Sequence, residues 1–523
     1  MILTPIAQDI KLSAEQLAIL NAVDQLTGRH LLVLARAGTG KTFVIRKAVQ
    51  LMRGTVAIAA FNRKIANDIK GKLADDGLRA DVGTFHSFGD RIIRAIFKGS
   101  KLEGTGEGRV GYFKFTRIAE ELEIPQFMQS FVRKAVSMAM AHGFGVEGLV
   151  PAKDLDEWQH IVSHYDIDNE IADDNAAVQL RGRQEVIKEA LRFAYKALNL
   201  SKKLAHEVYT HDEQLWLPLL LNAKFPTYNN VCVDEAQDSN NVRREMARRM
   251  LAPGGMMLFV GDEKQAINGF SGADNDALDI IREQFNCQVF PMTTTFRCSK
   301  AVVRLAQTIV PDFKAADSNP EGSVSSMTEK DFANVTLHPE TDAIICRNTK
   351  PLVDCAFSLI RRGVACHVEG KEIGQGLIAL ATRWRSIKSL PVLVSKLGDY
   401  RERQIAKLLT AKKEVQAEGI ADRVDTVLAL IDSMPKGATV NDLKAKIETM
   451  FVSTPDGQKP STVTLLTAHK SKGLEFHTVY GWAVAKFMPS KYAKQAWQLE
   501  QEDHLRYVLY TRAINTYVDV VVA

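Results

Sequence analysis

The sequence predicts an α/β protein in which two parallel-sheet cores are each interrupted by a mainly helical insertion. Short apolar runs recur along the chain with the length of buried parallel strands, and a helix-like stretch follows most of them. Two long segments instead carry charged, amphipathic helical patterns with few strand-like runs. At 523 residues, the chain is also too long for a single hydrophobic core.

The first core opens with a predicted strand, loop and helix. The run LLVLA at 31–35 suits a buried parallel strand, and FVIRKAVQLM at 43–52 has the apolar spacing of a helix that packs on a sheet. The other strands predicted for this core are short apolar runs, two of which end in carboxylates: 55–61, 80–85, 229–238 and 255–262. Their alternation with helices favours a doubly wound parallel sheet.

The second core has the same texture. Its predicted strands lie at 341–348, 363–368, 461–470, 476–484 and 516–523. The first insertion contains the amphipathic stretch 177–200, and the second contains the basic run 400–413. The expected boundaries are 1–90 and 213–285 for the first core, 91–212 for its insertion, 286–370 and 456–523 for the second core, and 371–455 for its insertion.

Composition limits the class of protein more than its function. Hydrophobic residues make up 46% and charged residues 25% of the chain, as in ordinary globular proteins. The net charge of +5 means that any nucleic-acid surface must come from local clusters of Lys and Arg. The six cysteines never approach C-x-x-C spacing, and no apolar run is long enough to span a membrane. We therefore expect a soluble, cytoplasmic protein with reduced thiols and no membrane partner.

The loop ARAGTGKT at 35–42 lies between the first predicted strand and helix and suits a phosphate. Small residues let backbone N–H groups curl around phosphate oxygens, Lys41 can reach the β and γ oxygens, and the Thr42 hydroxyl can ligate Mg²⁺. A Gly-rich turn that binds no nucleotide is the alternative. The residues expected at the phosphates are Ala35, which stands where such loops usually begin with Gly, and Gly38, Thr39, Gly40, Lys41 and Thr42.

A second motif supports the nucleotide interpretation. The run VCVDEAQD ends a predicted strand with Asp234 and Glu235. One carboxylate can hold Mg²⁺ through its water shell while the other acts as the base toward the attacking water, which is the division of labour that nucleotide hydrolysis requires. The two motifs together predict ATP hydrolysis with ATP and Mg²⁺ bound.

Eight segments, in chain order, resemble the helicase motifs of the UvrD/Rep family of superfamily 1. They are ARAGTGKT, AFNRKIANDIK (60–70), GTFHSFGDRIIR (83–94), DEAQD (234–238), GDEKQAINGFSGA (261–273), TTTFRCSK (293–300), TLLTAHKSKGLEF (464–476) and LRYVLYTRA (505–513). The resemblance implies two RecA-like cores and ATP-dependent 3′-to-5′ movement along single-stranded DNA, with separation of duplex strands.

The resemblance also assigns residues to the nucleoside. Gln16 matches the family's adenine-reading glutamine, since an amide can both donate and accept, although an exposed helix glutamine is the alternative. Glu475 matches the ribose contact, and Phe296 stands where the family often has a Tyr stacked on adenine. Phe43 replaces the Arg that often follows the phosphate loop and packs on adenine, so the base contact is expected to be looser or differently arranged.

Four further residues are assigned to the γ-phosphate. Gln237 and Gln265 resemble the glutamines that position the attacking water and sense the γ-phosphate. Arg297 and Arg512 match arginines that reach the γ-phosphate from the second core, where a guanidinium stabilises the charge that develops during phosphoryl transfer. Hydrolysis is therefore expected to require closure of the two cores. A solvated or salt-bridged surface arginine is the alternative for each.

A last group of matched residues points to DNA. It mixes phosphate-binding groups with aromatic faces, as single-stranded nucleic acid requires, and comprises Phe61, Asn62, Lys64, Thr84, His86, Phe88, Phe270 and His469. Core packing is the alternative for His86 and Phe88. The family typically has Tyr where Asn268 stands and Arg where Ser271 stands, so the coupling of DNA to hydrolysis at this motif is in doubt.

The partners expected are single-stranded DNA and 3′-tailed duplex DNA. Two other functions stay open. One is an ATP-driven single-strand translocase that displaces proteins without robust unwinding. The other is an ATPase subunit of a nuclease or defence complex, for which a protein partner such as a nuclease, a polymerase or a single-strand-binding protein is expected.

Overall fold

The structure is a computed structural model that describes residues 12–25, 29–104, 110–111, 113–165, 167–171, 175–267, 276–384, 387–410, 414–452, 461–491, 493 and 496–522. The chain divides into two compact units. The first comprises Met1–Ala35, Gly40–Glu263 and Asn268–Met292, and the second comprises Arg36–Thr39, Lys264–Ile267 and Thr293–Ala523. Each unit is built around its own parallel sheet.

The strands of the first unit are β1 (Leu31–Ala35), β2 (Val56–Ala60), β3 (Asp81–Thr84), β4 (Lys101–Leu102), β5 (Val208–Tyr209), β6 (Tyr228–Val233), β7 (Leu251–Gly261) and β8 (Gln288–Met292). In the described part of the chain, six of them form a parallel sheet in the order β3-β2-β6-β7-β1-β8, and β4 pairs with β5 separately. Residues of β2 are buried throughout, which explains its unbroken apolar sequence. Ile58 of β2 lies opposite Val82 of β3 and Cys232 of β6.

Helices of the first unit cover both faces of the sheet and form the insertion. They are α1 (Ala14–Asp24), α2 (Lys41–Leu51), α3 (Arg63–Asp75), α4 (Phe85–Ile96), α5 (Lys114–Glu121), α6 (Gln129–His142), α7 (Leu155–His164), α8 (Ala176–Arg181), α9 (Arg183–Leu204), α10 (Glu213–Leu220), α11 (Asn241–Met250) and α12 (Ala277–Gln284), with 3₁₀ turns at Gln126–Met128, Ile167–Glu170 and Ala236–Asp238. A further 3₁₀ turn, Glu263–Gln265, lies where the chain passes from the first unit to the second. The helical segment predicted at 177–200 is broken at Gly182, whose φ of 83° ends α8.

The strands of the second unit are β9 (Thr294–Thr295), β10 (Lys314–Ala315), β11 (Ser323–Thr328), β12 (Asp342–Cys346), β13 (Cys366–Glu369), β14 (Phe451–Val452), β15 (Val463–Thr467), β16 (Phe476–Trp482) and β17 (Ala513–Val521). Among the described residues, seven form a parallel sheet in the order β11-β17-β16-β12-β15-β13-β14, and β9 pairs with β10. The central strand β12 is buried along its whole length, between β16 and β15.

The helices of the second unit are α13 (Lys300–Ala306), α14 (Glu329–Phe332), α15 (Thr349–Arg361), α16 (Lys371–Ala381), α17 (Leu390–Thr410), α18 (Glu414–Asp432), α19 (Val440–Met450), α20 (Val484–Phe487) and α21 (Ala496–Tyr510). The insertion helices α16 to α19 share one hydrophobic core with α15 and the sheet, to which Val353, Leu393, Val424 and Leu443 contribute. This insertion therefore packs directly on the unit that carries it.

The predicted α/β class with two parallel-sheet cores is confirmed. Three edge strands of the two main sheets were not predicted. β8 contains Pro291, β11 is a largely exposed polar run and β14 is only two residues long, so none has the apolar signature of a buried strand. All six cysteines are free thiols. Within the residues described, no helix combines the length and apolar character that crossing a membrane requires. The domain boundaries given above remain a prediction.

Candidate nucleotide and nucleic-acid site

The phosphate loop joins β1 to α2. Gly38 and Gly40 have φ values of 68° and 91°, a left-handed backbone that residues with a Cβ rarely adopt. Gly40 is also the N-cap of α2 and offers no side-chain hydrogen bond to it, so that no cap side chain occupies the amide groups of the first turn. The loop thus has the backbone geometry of an anion site at a helix N-terminus. Thr42, the second residue of α2, is half-buried.

Lys41, Glu235 and Gln237 form a compact hydrogen-bonded group. Lys41 Nζ donates to Glu235 Oε1 at 2.8 Å, and Gln237 Nε2 donates to Glu235 Oε2 at 2.5 Å. Asp234 lies at the end of β6 beside them and accepts the Glu235 backbone N–H at 3.0 Å. The loop lysine and the strand-end carboxylates predicted from sequence are therefore brought together.

Carboxylates outnumber the cation at this site. Burial opposes the charge on Lys41, but attraction from Glu235, Asp234 and Asp262 outweighs it and raises the pKa of the lysine. Burial and then repulsion from Glu235 raise the pKa of Asp234 to about 6, with Lys41 acting in the opposite direction. The site therefore holds an excess of negative charge that a further cation would stabilise.

Glu235 occupies a strained backbone conformation. Its φ of 51° is left-handed, which is uncommon for a residue with a side chain and which fixes the turn that leads into the 3₁₀ segment Ala236–Asp238. Gln237 holds this turn to the next strand end, because its Oε1 accepts the Asp262 N–H at 3.0 Å. Gln265, the other predicted γ-phosphate glutamine, is buried at the end of the 3₁₀ turn that follows β7.

On the nucleoside side, Gln16 is 4% exposed, so the alternative of an exposed helix glutamine is wrong. It closes a capping box at the start of α1, in which Gln16 Oε1 accepts the Ser13 N–H and Ser13 Oγ accepts the Gln16 N–H. A Cβ atom built on Gly40 would lie 3.1 Å from Gln16 Nε2, so the side-chain amide of Gln16 lies beside the phosphate loop. Phe43 is half-buried, with Lys47 Nζ 5.8 Å from its ring centre.

The second unit brings two of its predicted residues into contact. Arg297 Nε and Glu475 Oε2 form an ion pair at 2.6 Å, with side chains 25% and 51% exposed. Phe296, next to Arg297, is 44% exposed. The sequence assigned Arg297 to phosphate and Glu475 to ribose, with a solvated or salt-bridged arginine as the alternative for Arg297. The salt bridge of that alternative is present, and its partner Glu475 was not predicted.

Arg512 has a different setting. Its side chain is 1% exposed, and the guanidinium donates to the carbonyl oxygens of Val508 and Leu474, each at 2.9 Å, and to Thr511 Oγ1 at 3.1 Å. The alternative of a surface arginine is therefore wrong for Arg512. Because Leu474 precedes Glu475, Arg512 supports the same segment that pairs with Arg297.

The predicted DNA residues after β2 lie at the start of α3. Asn62 caps this helix, since its Oδ1 accepts the Ile65 N–H at 2.9 Å, and Lys64 is exposed in the first turn. Phe61 is half-buried, and the guanidinium carbon of Arg243 lies 5.7 Å from its ring centre. A cation and an aromatic face thus accompany an exposed helix N-terminus.

The DNA residues predicted after β3 separate into different environments. Thr84 caps α4 through Ser87. Phe88 is fully buried in the hydrophobic core, so the structure favours the core-packing alternative and we leave Phe88 out of the proposed interface. His86 is half-buried and stacks on His211, with ring centres 3.7 Å apart and planes within 4°.

Both predicted histidine contacts are held neutral. Burial, then His211, Arg243 and Arg63, lower the pKa of His86 to about 2. Burial and Arg347 lower the pKa of His469 to about 3. Neither ring can therefore serve as a cation for DNA phosphates at ordinary pH, although each can stack or hydrogen-bond. Phe270 lies outside the described residues, as do Asn268 and Ser271.

Arg243 and His211 were missed by the sequence interpretation. Arg243 lines a small cleft at the carboxyl ends of β2, β3 and β6, together with Phe61, His86, Asp234 and Glu235. His211 lies near the C-terminal end of the predicted insertion at 91–212. Both stand outside the matched motifs, and no local pattern distinguishes them from solvated residues.

The strand–loop–helix with its lysine, set against paired carboxylates on a neighbouring strand of a parallel sheet, defines the class as phosphate-loop nucleotide-binding proteins. Two family models match this chain. The model of the UvrD/REP helicase N-terminal domain matches residues 13–286, and that of the UvrD-like helicase C-terminal domain matches residues 153–516. The chain belongs to the UvrD/Rep helicase family, and the predicted resemblance is confirmed.

Curated relatives agree with the family models. DNA helicase II of Escherichia coli is 21% identical over 54% of this chain and 38% of its own length. ATP-dependent DNA helicase Rep of Buchnera aphidicola is 22% identical over 63% of this chain and 48% of its own length. The probable DNA helicase II homolog of Mycoplasma pneumoniae is 21% identical over 56% of this chain and 41% of its own length. The match spans less than half of each of these relatives.

Proposed function

We propose that the chain hydrolyses ATP at the Lys41–Glu235 site and uses the energy to move 3′-to-5′ along single-stranded DNA and to separate duplex strands. The observation that carries the proposal is the hydrogen-bonded group of Lys41, Glu235 and Gln237 beside a phosphate loop. Family membership supports DNA as the track, because the relatives are named DNA helicases.

In this proposal, ATP exchanges the partners of Lys41. The loop amides receive the phosphates, and Lys41 leaves Glu235 to bind phosphate oxygens. Glu235 can then accept a proton from the attacking water, while Gln237 holds one of its carboxylate oxygens in place. Gln16 is positioned beside the loop to meet the adenine edge.

The residues present fit a magnesium ion. Three carboxylates, Asp234, Glu235 and Asp262, act on the single cation Lys41, and repulsion from Glu235 adds to the effect of burial in raising the pKa of Asp234. Among the residues described, no three His, Cys, Asp or Glu side chains could enclose a metal by themselves, as suits an ion that also takes phosphate and water ligands. Thr42 and Asp234 would hold Mg²⁺, which supplies charge neutralisation at the β and γ phosphates.

Arg297 and Arg512 are proposed to stabilise charge on the γ-phosphate, with Glu475 and Phe296 at the nucleoside and Gln265 as a sensor. The support is their family match together with the contacts within the second unit. Arg297 can leave Glu475 at a small cost in free energy, because Glu475 is half exposed and solvent screens the pair. Arg512 is instead held by backbone carbonyls and can position the Leu474–Glu475 segment.

For DNA we propose Phe61, Asn62, Lys64, Thr84, His86 and His469 as the described contacts. Lys64 offers a phosphate contact at the exposed first turn of α3, and Phe61 and His86 offer ring faces at the neighbouring strand ends. Since both histidines are neutral, the salt dependence of binding should come from lysine and arginine. Six free thiols suit a reducing compartment, and we place the activity in the cytoplasm.

The test measures ATP turnover with no nucleic acid, single-stranded DNA, duplex DNA and RNA, followed by strand displacement on 3′-tailed and 5′-tailed duplexes. We expect single-stranded DNA to stimulate turnover most and only the 3′-tailed duplex to be separated. Turnover without strand displacement, together with removal of streptavidin from a biotinylated strand, would identify a translocase instead. Absence of nucleic-acid stimulation would contradict the proposal.

A further inference from the structure

Arg243 lies beside the carboxyl ends of three strands of the first unit. It lies in the first turn of α11, its Nη1 donates to the Asp238 carbonyl oxygen at 2.6 Å, and its guanidinium faces the Phe61 ring at 5.7 Å. Its charge also acts on His86. These strands are β2, β3 and β6. Proposed DNA contacts lie at the ends of β2 and β3, and the proposed hydrolytic carboxylates lie at the end of β6.

The surroundings of Arg243 differ from those of its neighbours on α11. Arg248 and Arg249 both form ion pairs with Glu245. Within the residues described, no carboxylate lies at ion-pair distance from Arg243, and its side chain lines the cleft shared by Phe61, His86 and Glu235. Arg243 therefore borders the cleft next to the proposed DNA residues, and the charges of Asp238 and Asp212 act on it without forming an ion pair.

One short turn separates this arginine from the proposed base. The Asp238 N–H donates to the Glu235 carbonyl oxygen at 3.0 Å, so Arg243 holds the far end of the 3₁₀ turn that begins at Glu235. Glu235 is itself in a left-handed conformation, and its side chain is shared between Lys41 and Gln237. A movement of the Asp238 carbonyl group therefore changes the orientation of the Glu235 carboxylate, because a single hydrogen-bonded turn joins the two residues.

We propose that Arg243 is a positioning residue through which DNA at Phe61 and His86 acts on Glu235. The inference rests on the proposed function, since it requires DNA-stimulated hydrolysis. When a nucleotide base stacks beside Phe61, the guanidinium above that ring must adjust, and the adjustment passes to the Asp238 carbonyl. Arg243 thereby raises the rate at saturating DNA, and it contributes little to turnover without DNA.

The experiment compares wild type, Arg243→Gln, Arg243→Lys and the control Arg248→Gln, which changes the same residue type on the same helix at an exposed ion pair. Each is assayed for turnover without DNA, turnover at saturating single-stranded DNA and the half-saturating DNA concentration. For Arg243→Gln we expect the stimulated rate to fall about 10-fold, with the basal rate within about 2-fold and half-saturation within about 3-fold. Arg243→Lys, which keeps the cation near Phe61, should recover part of the stimulation.

A purely structural role would lower basal and stimulated rates together and would overturn the inference, as would full stimulation in Arg243→Gln. Should Arg243→Gln fold poorly, the Arg243→Lys ratio of stimulated to basal rate decides, because an unchanged ratio contradicts the inference. The proposed function fails separately if wild type itself shows no stimulation by DNA. In a double-mutant cycle, Arg243→Gln is combined with Phe61→Leu. The double variant should lose less stimulation than the product of the fold losses in the two single variants.

Discussion

The two units hold their proposed nucleotide residues in opposite ways. In the first unit Lys41, Glu235 and Gln237 satisfy one another in a nearly closed group, so that phosphate must displace an existing partner. In the second unit, Arg297 and Glu475 meet in a solvent-screened pair, while Arg512 is buried against carbonyl oxygens. The difference teaches that the first unit holds its lysine in an existing hydrogen-bonded group that phosphate must open, whereas the second unit combines an arginine that can leave its partner with an arginine that is fixed.

The largest effect is expected where the first unit's group loses its cation. Lys41→Ala removes the phosphate contact and leaves three carboxylates unopposed, so ATP turnover should fall about 10³-fold or more. Lys47→Ala, on the same helix beside Phe43, is the matched control and should stay within about 3-fold of wild type. Normal turnover in Lys41→Ala, with folding checked by circular dichroism, would refute the assignment of this site.

The next largest effect is expected at the two arginines of the second unit, which should differ in their influence on stability. Arg297→Ala and Arg512→Ala should each lower turnover roughly 10²- to 10³-fold if both stabilise the γ-phosphate. Only Arg512→Ala should also lower the melting temperature, by several degrees, since it removes a buried guanidinium and its hydrogen bonds to the carbonyl oxygens of Val508 and Leu474, at about 1–3 kcal/mol. Equal melting temperatures for the two variants would contradict the contrast drawn between them.

In each unit, one of the histidines proposed to contact DNA is neutral when folded. The pKa values of His86 and His469 are lowered to about 2 and about 3, mainly by burial, whereas an unfolded histidine titrates near 6.5. At these two rings the unfolded state therefore binds more protons, and their contribution to stability falls as the pH drops, whereas Asp234, whose folded pKa is raised to about 6, acts in the opposite direction over the same range. Each histidine should remove about 1 kcal/mol of unfolding free energy between pH 6.5 and pH 5.5.

Urea denaturation at both pH values checks this linkage. His86→Gln should flatten the pH dependence of the first unit only, and His469→Gln that of the second. Equal changes in unfolding free energy from pH 6.5 to pH 5.5 in wild type and in the two variants would show that these rings are not held neutral.

The smallest effect concerns the ion pair of the second unit. Glu475→Gln breaks a half-exposed contact whose contribution is about 0.2–1 kcal/mol, so the melting temperature should shift by less than about 3 °C. Because Glu475 is the proposed ribose contact, the KM for ATP should rise a few-fold while kcat changes little. A large drop in melting temperature would mean that the pair is structural rather than releasable.

The fold and the first unit's site follow largely from local sequence. Strand, loop and helix around Lys41, and the carboxylates after β6, are encoded within short segments, and the structure brings them together as expected. The strands β8 and β11 escaped prediction because edge strands need no apolar pattern.

Contacts that depend on how distant segments meet could not be read from the sequence. Nothing near Phe88 indicates that its ring enters the core while His86, two residues earlier, stacks on His211. The pairing of Arg297 with Glu475, and the place of Arg243 between three strand ends, likewise follow from tertiary packing. Charge and spacing alone assign such residues to a surface, where most arginines and histidines lie.

The most direct test of the partner exchange at Lys41 is ATP binding and turnover by Glu235→Gln, measured side by side with wild type in the presence of Mg²⁺. Removing the carboxylate's charge frees Lys41 from its competing partner and removes the proposed base. The account predicts ATP affinity equal to wild type or up to about 10-fold tighter, with turnover at least about 10²-fold lower. Weaker ATP binding with turnover preserved would contradict it.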